Sequence, residues 1–365
     1  MGNKFIMKNR KHLNFKLLML CLAFILMLFT LEICCLLGYP YLTTASGRLR
    51  VDILLNQKKE LRRSPHPYLL YQNNPNFKIN NQSEHNKFSL RNKEWDHETF
   101  KNSYKILTIG GSTTYATGVT RDNSWAHSLQ IELNKHIPNT LVMNAGLGYA
   151  TSAELLSHYI FRNRYLKPDM VIIHTGFNDC LTLLEKDYNP EYTHFRNSWS
   201  PVKTRTYEET LLKSSFIKFL YAWWLRGYGL NNELTNNVIS IHPNDALNNA
   251  KKQEPIGFSR NLKLLIRQIK LDGAKIILAP VPIASKEVYS LLPQHQRYTK
   301  SHYDAIQTSL QKSYTIIKSQ SSTVDSYISN FEIEDKYFID HVHLNKEGQK
   351  LKAKVFSEAI LNHIN

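Results

Sequence analysis

From residue 105 to the C-terminus, short apolar runs alternate with stretches of helical period, and that alternation admits few folds. The runs at 105–109, 140–144, 170–174 and 275–279, with a weaker one at 323–326, are too short and too continuously apolar for amphipathic helices. Helical periods lie between and after them, at 124–136, 152–166, 258–271, 301–319 and 346–364. A strand apolar on both faces must be covered on both, and strands joined through helices run parallel. The pattern predicts an α/β fold, a flavodoxin-like three-layer α/β/α sandwich on a parallel sheet of about five strands. In the last helix Leu351, Val355, Ala359 and His363 form one stripe, with Asn345 placed to cap the start.

The N-terminus adds a second constraint. Residues 1–16 carry Lys4, Lys8, Arg10, Lys11 and Lys16 without an acidic residue, and 17–38 follow as a mostly apolar stretch broken by Glu32. As a helix this stretch spans roughly 33 Å, enough to cross the hydrocarbon core. A cleavable signal peptide, with Thr43-Thr44-Ala45 as its processing site, is the competing reading, but its apolar region would be shorter. We therefore expect a single-pass anchor at 17–38 behind a basic cytoplasmic segment at 1–16. The bulk of the protein then lies outside the cytosol, although Arg48, Arg50 and the basic residues of 58–63 weaken the charge contrast. Ile6 occupies the place where a myristoylation signal needs Ser or Thr, so Gly2 is set aside.

With 42% hydrophobic residues the chain can build a full core. Cys21, Cys34 and Cys35 lie in the apolar stretch and Cys180 alone lies beyond it, so no internal disulfide is expected in the body. Beyond the span, 41 basic residues face 29 acidic ones, a net +12 that suits a domain working beside anionic lipid or an acidic polymer. Nucleic acid is not expected, because no Lys/Arg stripe is interleaved with aromatics. Residues 39–103, polar and punctuated by Pro65, Pro67 and Pro75, read as a stalk and entry segment in which 68–71 offer something to pack. Within a domain at 104–365, an aromatic-rich insertion at about 181–257 interrupts the alternation. It reads either as a wall of a substrate site or as a helix packed on the body.

Four loops carry residues with chemical potential. Gly110-Gly111-Ser112 ends the first strand, where a glycine pair lets the chain turn sharply and leaves a serine at the start of a helix. It lacks the lysine of a phosphate-binding loop. The second and third loops are 144–152, with Gly146, Gly148 and Tyr149, and 175–179, with Gly176, Asn178 and Asp179. In an open parallel sheet these loops share one edge with Ser112, where backbone N–H groups and the Asn178 amide can donate to a developing oxyanion. The fourth is Asp340-His341-Val342-His343. A serine hydroxyl needs an imidazole to take its proton and a carboxylate to fix that imidazole's tautomer, and an Asp three residues ahead of a His can fold back onto its Nδ1. Metal binding by His341 and His343 lacks further ligands, and His341 reads as a surface or packing residue. No metal or cofactor is expected. An α/β-hydrolase would share the order Ser, Asp, His, but Thr114 breaks its Gly-x-Ser-x-Gly elbow.

These four blocks, in this order over 112–343, resemble the SGNH hydrolases of the GDSL esterase and lipase superfamily. The resemblance implies Ser112 as nucleophile, His343 as general base and Asp340 as its orienter. It further implies an oxyanion hole made by the Ser112 N–H, the Asn178 side chain and an N–H of the second block, Gly148 with Gly146 or Tyr149 as alternatives. Gly111 stands where many members carry Asp, and a gapless match puts Tyr149 at the family's glycine. The implied activity is hydrolysis of an acyl ester through an acyl-enzyme, on O-acyl or O-acetyl esters of envelope glycans or lipids. An acyltransferase using the same residues, and an idle binding or scaffolding domain, are the alternatives.

Overall fold

The computed structural model describes residues 2–43, 48, 51, 62–75, 77–79, 82–196, 206–224, 241–289, 300–329 and 331–364. Two compact units emerge, one of residues 60–200 and 233–365, the other of 1–59 and 201–232.

The larger unit holds β1 (Tyr104–Gly110), β2 (Thr140–Asn144), β3 (Met170–Thr175), β4 (Lys275–Pro280) and β5 (Ser326–Tyr327). All pair in parallel, in the order β2-β1-β3-β4-β5. Because β2 and β3 flank β1, the crossovers leave β1 on opposite sides and a crevice opens at its C-terminal end, the usual ligand position in such sheets. Successive side chains of a strand point to opposite faces. Leu107, Ile109, Val171, Ile173, Ile276 and Leu278 accordingly pack on one face under helices Ser152–Phe161 and Ile256–Leu271. Ile106, Val142, Met170, Ile172 and Ile277 pack on the other under Trp125–Leu133 and Lys346–Ile364. This is the expected three-layer sandwich.

Two local expectations are corrected. The fifth strand is shorter and later than 323–326: Thr323 closes a single helical turn, and Asp325 pairs with Ile276 through both its backbone and its carboxylate before Ser326–Tyr327 joins the sheet. In the last helix the buried face is Gln349, Lys352, Ala353, Phe356 and Ile360; of the expected stripe Val355 and Ala359 pack half-buried against the core, and Leu351 is exposed. That face carries a lysine that donates to the Thr113 carbonyl of the Ser112 turn and a glutamine that bridges the Trp125 N–H and the Leu344 carbonyl, which hides it from a hydropathy pattern.

Residues 62–103 contribute to the body. Tyr71, His85 and Asn86 are fully buried, and Arg91 and Glu84 form a buried ion pair at 2.8 Å. The part of the expected stalk at 52–61 lies outside the described residues.

In the smaller unit a helix runs over Gly2–Leu42, of which Phe15–Leu42 is long and apolar enough to cross a bilayer. Glu32, the acid in that stretch, accepts hydrogen bonds from the Ser214 hydroxyl at 2.8 Å, from the Phe216 N–H at 3.0 Å and from the Ser215 N–H. It thereby caps helix Ser215–Trp224, whose Ala222 packs with Val51 and Leu212 while Trp223 and Trp224 stay exposed. The aromatic part of the insertion thus belongs to the unit of the N-terminal helix.

Candidate active site

Ser112 opens a four-residue helix, Ser112–Tyr115, directly after β1. The approach demands bare backbone. A Cβ on Gly110 would lie 2.1 Å from the His174 carbonyl oxygen, and one on Gly146 would lie 2.1 Å from the Tyr115 nitrogen. A side chain at Gly146 would push the second loop off the Ser112 turn, and one at Gly110 would collide with the end of β3 and with Thr114.

The turn is fastened from below and from the side. The Trp125 indole donates to the Thr114 carbonyl at 2.9 Å, Lys352 Nζ to the Thr113 carbonyl at 3.0 Å, and Thr114 Oγ1 to the His174 carbonyl at 3.2 Å. Lys352 also lies 4.6 Å over the Trp125 ring, and burial pushes its amine well below the usual lysine range. The Arg91 guanidinium donates to the carbonyls of Tyr115, Ala116 and Val119, and His85 Nε2 meets the Tyr115 hydroxyl at 2.9 Å. None of these supports was read from the sequence: Arg91 and Glu84 sit in a polar segment without a period, and Lys352 looks like one more surface lysine.

The loop before the last helix brings its groups to the same point. His343 Nε2 is 2.8 Å from Ser112 Oγ, and His343 Nδ1 is 2.7 Å from Asp340 Oδ2. The other carboxylate oxygen accepts the N–H groups of Val342 at 2.9 Å and His343 at 2.8 Å, so the loop fixes its own carboxylate. Burial alone would raise the Asp340 carboxyl, but the hydrogen bond and charge of His343 outweigh it and hold the group well below the usual carboxylate range. An ionised carboxylate can only accept, so Nδ1 carries the hydrogen and Nε2 presents its lone pair to the serine. His341 faces Phe177 with ring centroids 5.5 Å apart, and burial pushes its imidazole down to about 4, as for a packing residue.

The other two loops close around Ser112. Asn178 Nδ2 donates to the Ala150 carbonyl at 2.8 Å and would lie 2.6 Å from a Cβ on Gly111, so the amide rests against the backbone just before Ser112. Asp179 receives the Ser152 N–H at 3.0 Å, the Ser152 hydroxyl at 2.6 Å and the Tyr192 hydroxyl at 2.7 Å, which ties the third block to the second. Burial pushes its carboxyl up to about 6, against the pull of the Ser152 and Tyr192 hydrogen bonds. In the second block the Gly146 N–H is taken by Asn144 Oδ1 at 2.9 Å. Tyr149 adopts a left-handed backbone with φ of 69°, a conformation that favours glycine. Its carbonyl accepts from Arg196, which is also paired with buried Glu154 at 2.9 Å.

A family model, the GDSL-like Lipase/Acylhydrolase family, matches residues 108–351. The chain belongs to that family. The match begins on β1, ends in the last helix and takes in all four loops of this GDSL-like hydrolase. No curated protein matches the sequence. Among solved structures, it is similar to a catalytic variant of the acetylxylan esterase Axe2 from Geobacillus stearothermophilus, at 14% identity over 70% of this chain and 94% of that one, with a TM-score of 0.40. It is likewise similar to a GDSL-like lipase from Bacteroides thetaiotaomicron, at 16% identity over 72% and 90% of the two chains, with a TM-score of 0.39. Among the described residues no cluster of three or more His, Cys, Asp or Glu is arranged to hold a metal ion.

Proposed function

We propose that this GDSL-like hydrolase is a serine esterase working through an acyl-enzyme on O-acyl or O-acetyl esters of envelope glycans or lipids. The reading rests on one observation, the hydrogen-bonded series Ser112 Oγ, His343, Asp340 with links of 2.8 and 2.7 Å. A binding domain would gain nothing from aligning all three.

Ser112 attacks the ester carbonyl as His343 Nε2 takes its proton. The oxyanion is received by the Ser112 N–H, the Asn178 amide and a backbone N–H of the second block. For that last donor we favour Tyr149 over Gly148: the left-handed conformation sits at Tyr149, and the Gly146 N–H is already engaged. His343 returns the proton to the leaving alcohol, and water then releases the acid by the same route. The apolar helix supports an anchored protein with its catalytic unit outside the cytosol, and the positive charge beyond the span suits an anionic envelope.

Incubation of the full-length protein in detergent with short-chain and long-chain aryl esters and with acetylated oligosaccharides tests the assignment. Turnover that Ser112→Ala abolishes is expected, and turnover that survives this substitution removes Ser112 as nucleophile.

A further inference from the structure

Three guanidinium groups reach the second-block loop and a fourth, Arg91, holds the adjoining Ser112 turn; two of the four meet no counter-charge among the described residues. Arg91 is paired with Glu84, and Arg196 with Glu154. Arg62 and Arg63, adjacent in sequence, meet no carboxylate among the described residues. Both reach the loop at one point: a Cβ on Gly148 would lie 3.5 Å from Arg62 Nη2 and 4.0 Å from Arg63 Nη2.

Their placement is built rather than incidental. Arg62 lies over the Tyr115 ring at 3.7 Å and donates to Thr117 Oγ1 at 3.2 Å, while its buried Nε has no hydrogen-bond partner among the described residues. Arg63 lies over the Tyr149 ring at 5.0 Å and faces Tyr71 at 5.8 Å. Burial and the like charges of Arg63 and Arg91 both disfavour the Arg62 cation. Two neighbouring cations held against aromatic faces, with donors left over, repel each other until an anion joins them.

We propose that Arg62 and Arg63 form an anion subsite beside the oxyanion loop, selecting esters that carry a carboxylate or phosphate group next to the scissile bond. The subsite rests on the esterase reading of Ser112, and it would make the enzyme prefer acidic esters to neutral ones of the same shape.

The test compares 4-acetoxybenzoate with its methyl ester, which differ at the charged group, and adds 4-acetoxyphenyl phosphate to separate carboxylate from phosphate recognition. With full-length protein in detergent, Arg63→Gln is expected to lower the charged-to-neutral ratio of kcat/KM about ten-fold, mainly through KM, as befits one lost charge-assisted hydrogen bond. Arg63→Lys should recover part of the ratio, and high salt should narrow it. A ratio unmoved by Arg63→Gln, or an equal loss on both esters, overturns the subsite. Absence of turnover on every ester overturns the esterase reading alone. The subsite is then decided by calorimetric binding of 4-hydroxybenzoate and inorganic phosphate to Ser112→Ala protein: weakening of about ten-fold by Arg63→Gln supports it, and unchanged binding of both refutes it.

Discussion

Replacing Asp340 by Asn changes no volume and removes one charge, which isolates what the carboxylate does. One oxygen accepts the Val342 and His343 N–H groups at 2.9 and 2.8 Å, and the other accepts His343 Nδ1 at 2.7 Å. If the amide oxygen stays on the backbone donors, the amide NH2 faces Nδ1 and forces the hydrogen onto Nε2, leaving no lone pair for the Ser112 proton. If the amide flips to restore the tautomer, two backbone N–H groups lose their acceptor at about 1–3 kcal/mol each. The first arrangement therefore prevails, and kcat is expected to fall about 10⁴-fold, or about 5 kcal/mol of transition-state stabilisation. Steady-state hydrolysis of an aryl acetate, with the thermal midpoint measured alongside, reads this directly. A kcat within ten-fold of the parent in a folded Asp340→Asn protein would refute the tautomer argument.

Other consequences follow from the packing and the buried charges. Gly146→Ala places a methyl group 2.1 Å from the Tyr115 nitrogen, so a folding failure or a large drop in thermal midpoint is expected, and an unchanged midpoint contradicts the close approach. Burial pushes His85, His158 and His341 down to about 4, so the folded state binds fewer protons than the unfolded chain once pH falls below about 6.5. Each then costs about 2 kcal/mol of stability by pH 5, while Asp179, pushed up to about 6 and protonated early, returns about 1 kcal/mol. Urea unfolding at pH 7.5 and 5.0 should show a clear fall in midpoint, and an unmoved midpoint would mean that the histidines are hydrated. Asp340, held low, keeps its contribution through this window and loses it progressively as pH falls from the usual carboxylate range toward its own depressed value. Glu32→Ala strips the acceptor from Ser214, Ser215 and Phe216, so faster proteolysis within 206–224 is expected in detergent. An identical cleavage pattern would argue that the cap is dispensable.

The sheet was legible because its strands are buried on both faces and therefore read as continuous apolar runs. The candidate site residues stand out in the sequence because they lie in short local patterns: Gly-Gly-Ser at the end of β1, Gly-x-Asn-Asp just after β3 and Asp-x-x-His in the loop before the last helix. What the sequence concealed depends on contacts between distant residues. Arg91 supports a turn 24 to 28 positions away, and Lys352 reaches back 239 positions to Thr113. Nothing local marks either as buried. The inner face of the last helix is hidden for the same reason: Gln349 and Lys352 point inward to the Trp125 N–H and the Leu344 and Thr113 carbonyls, so hydropathy centres the stripe on Leu351, at the edge of the buried face. At Tyr149 the cue was present but weak, since the left-handed φ of 69° appears only once the loop is built.

The proposed esterase mechanism requires a covalent bond to form on Ser112. Full-length protein turning over an aryl acetate, quenched in acid and digested, should yield the Ser112 peptide carrying one acetyl group, with none in His343→Ala protein under the same conditions. An acetyl group on a different residue that forms and decays at the rate of turnover would contradict it.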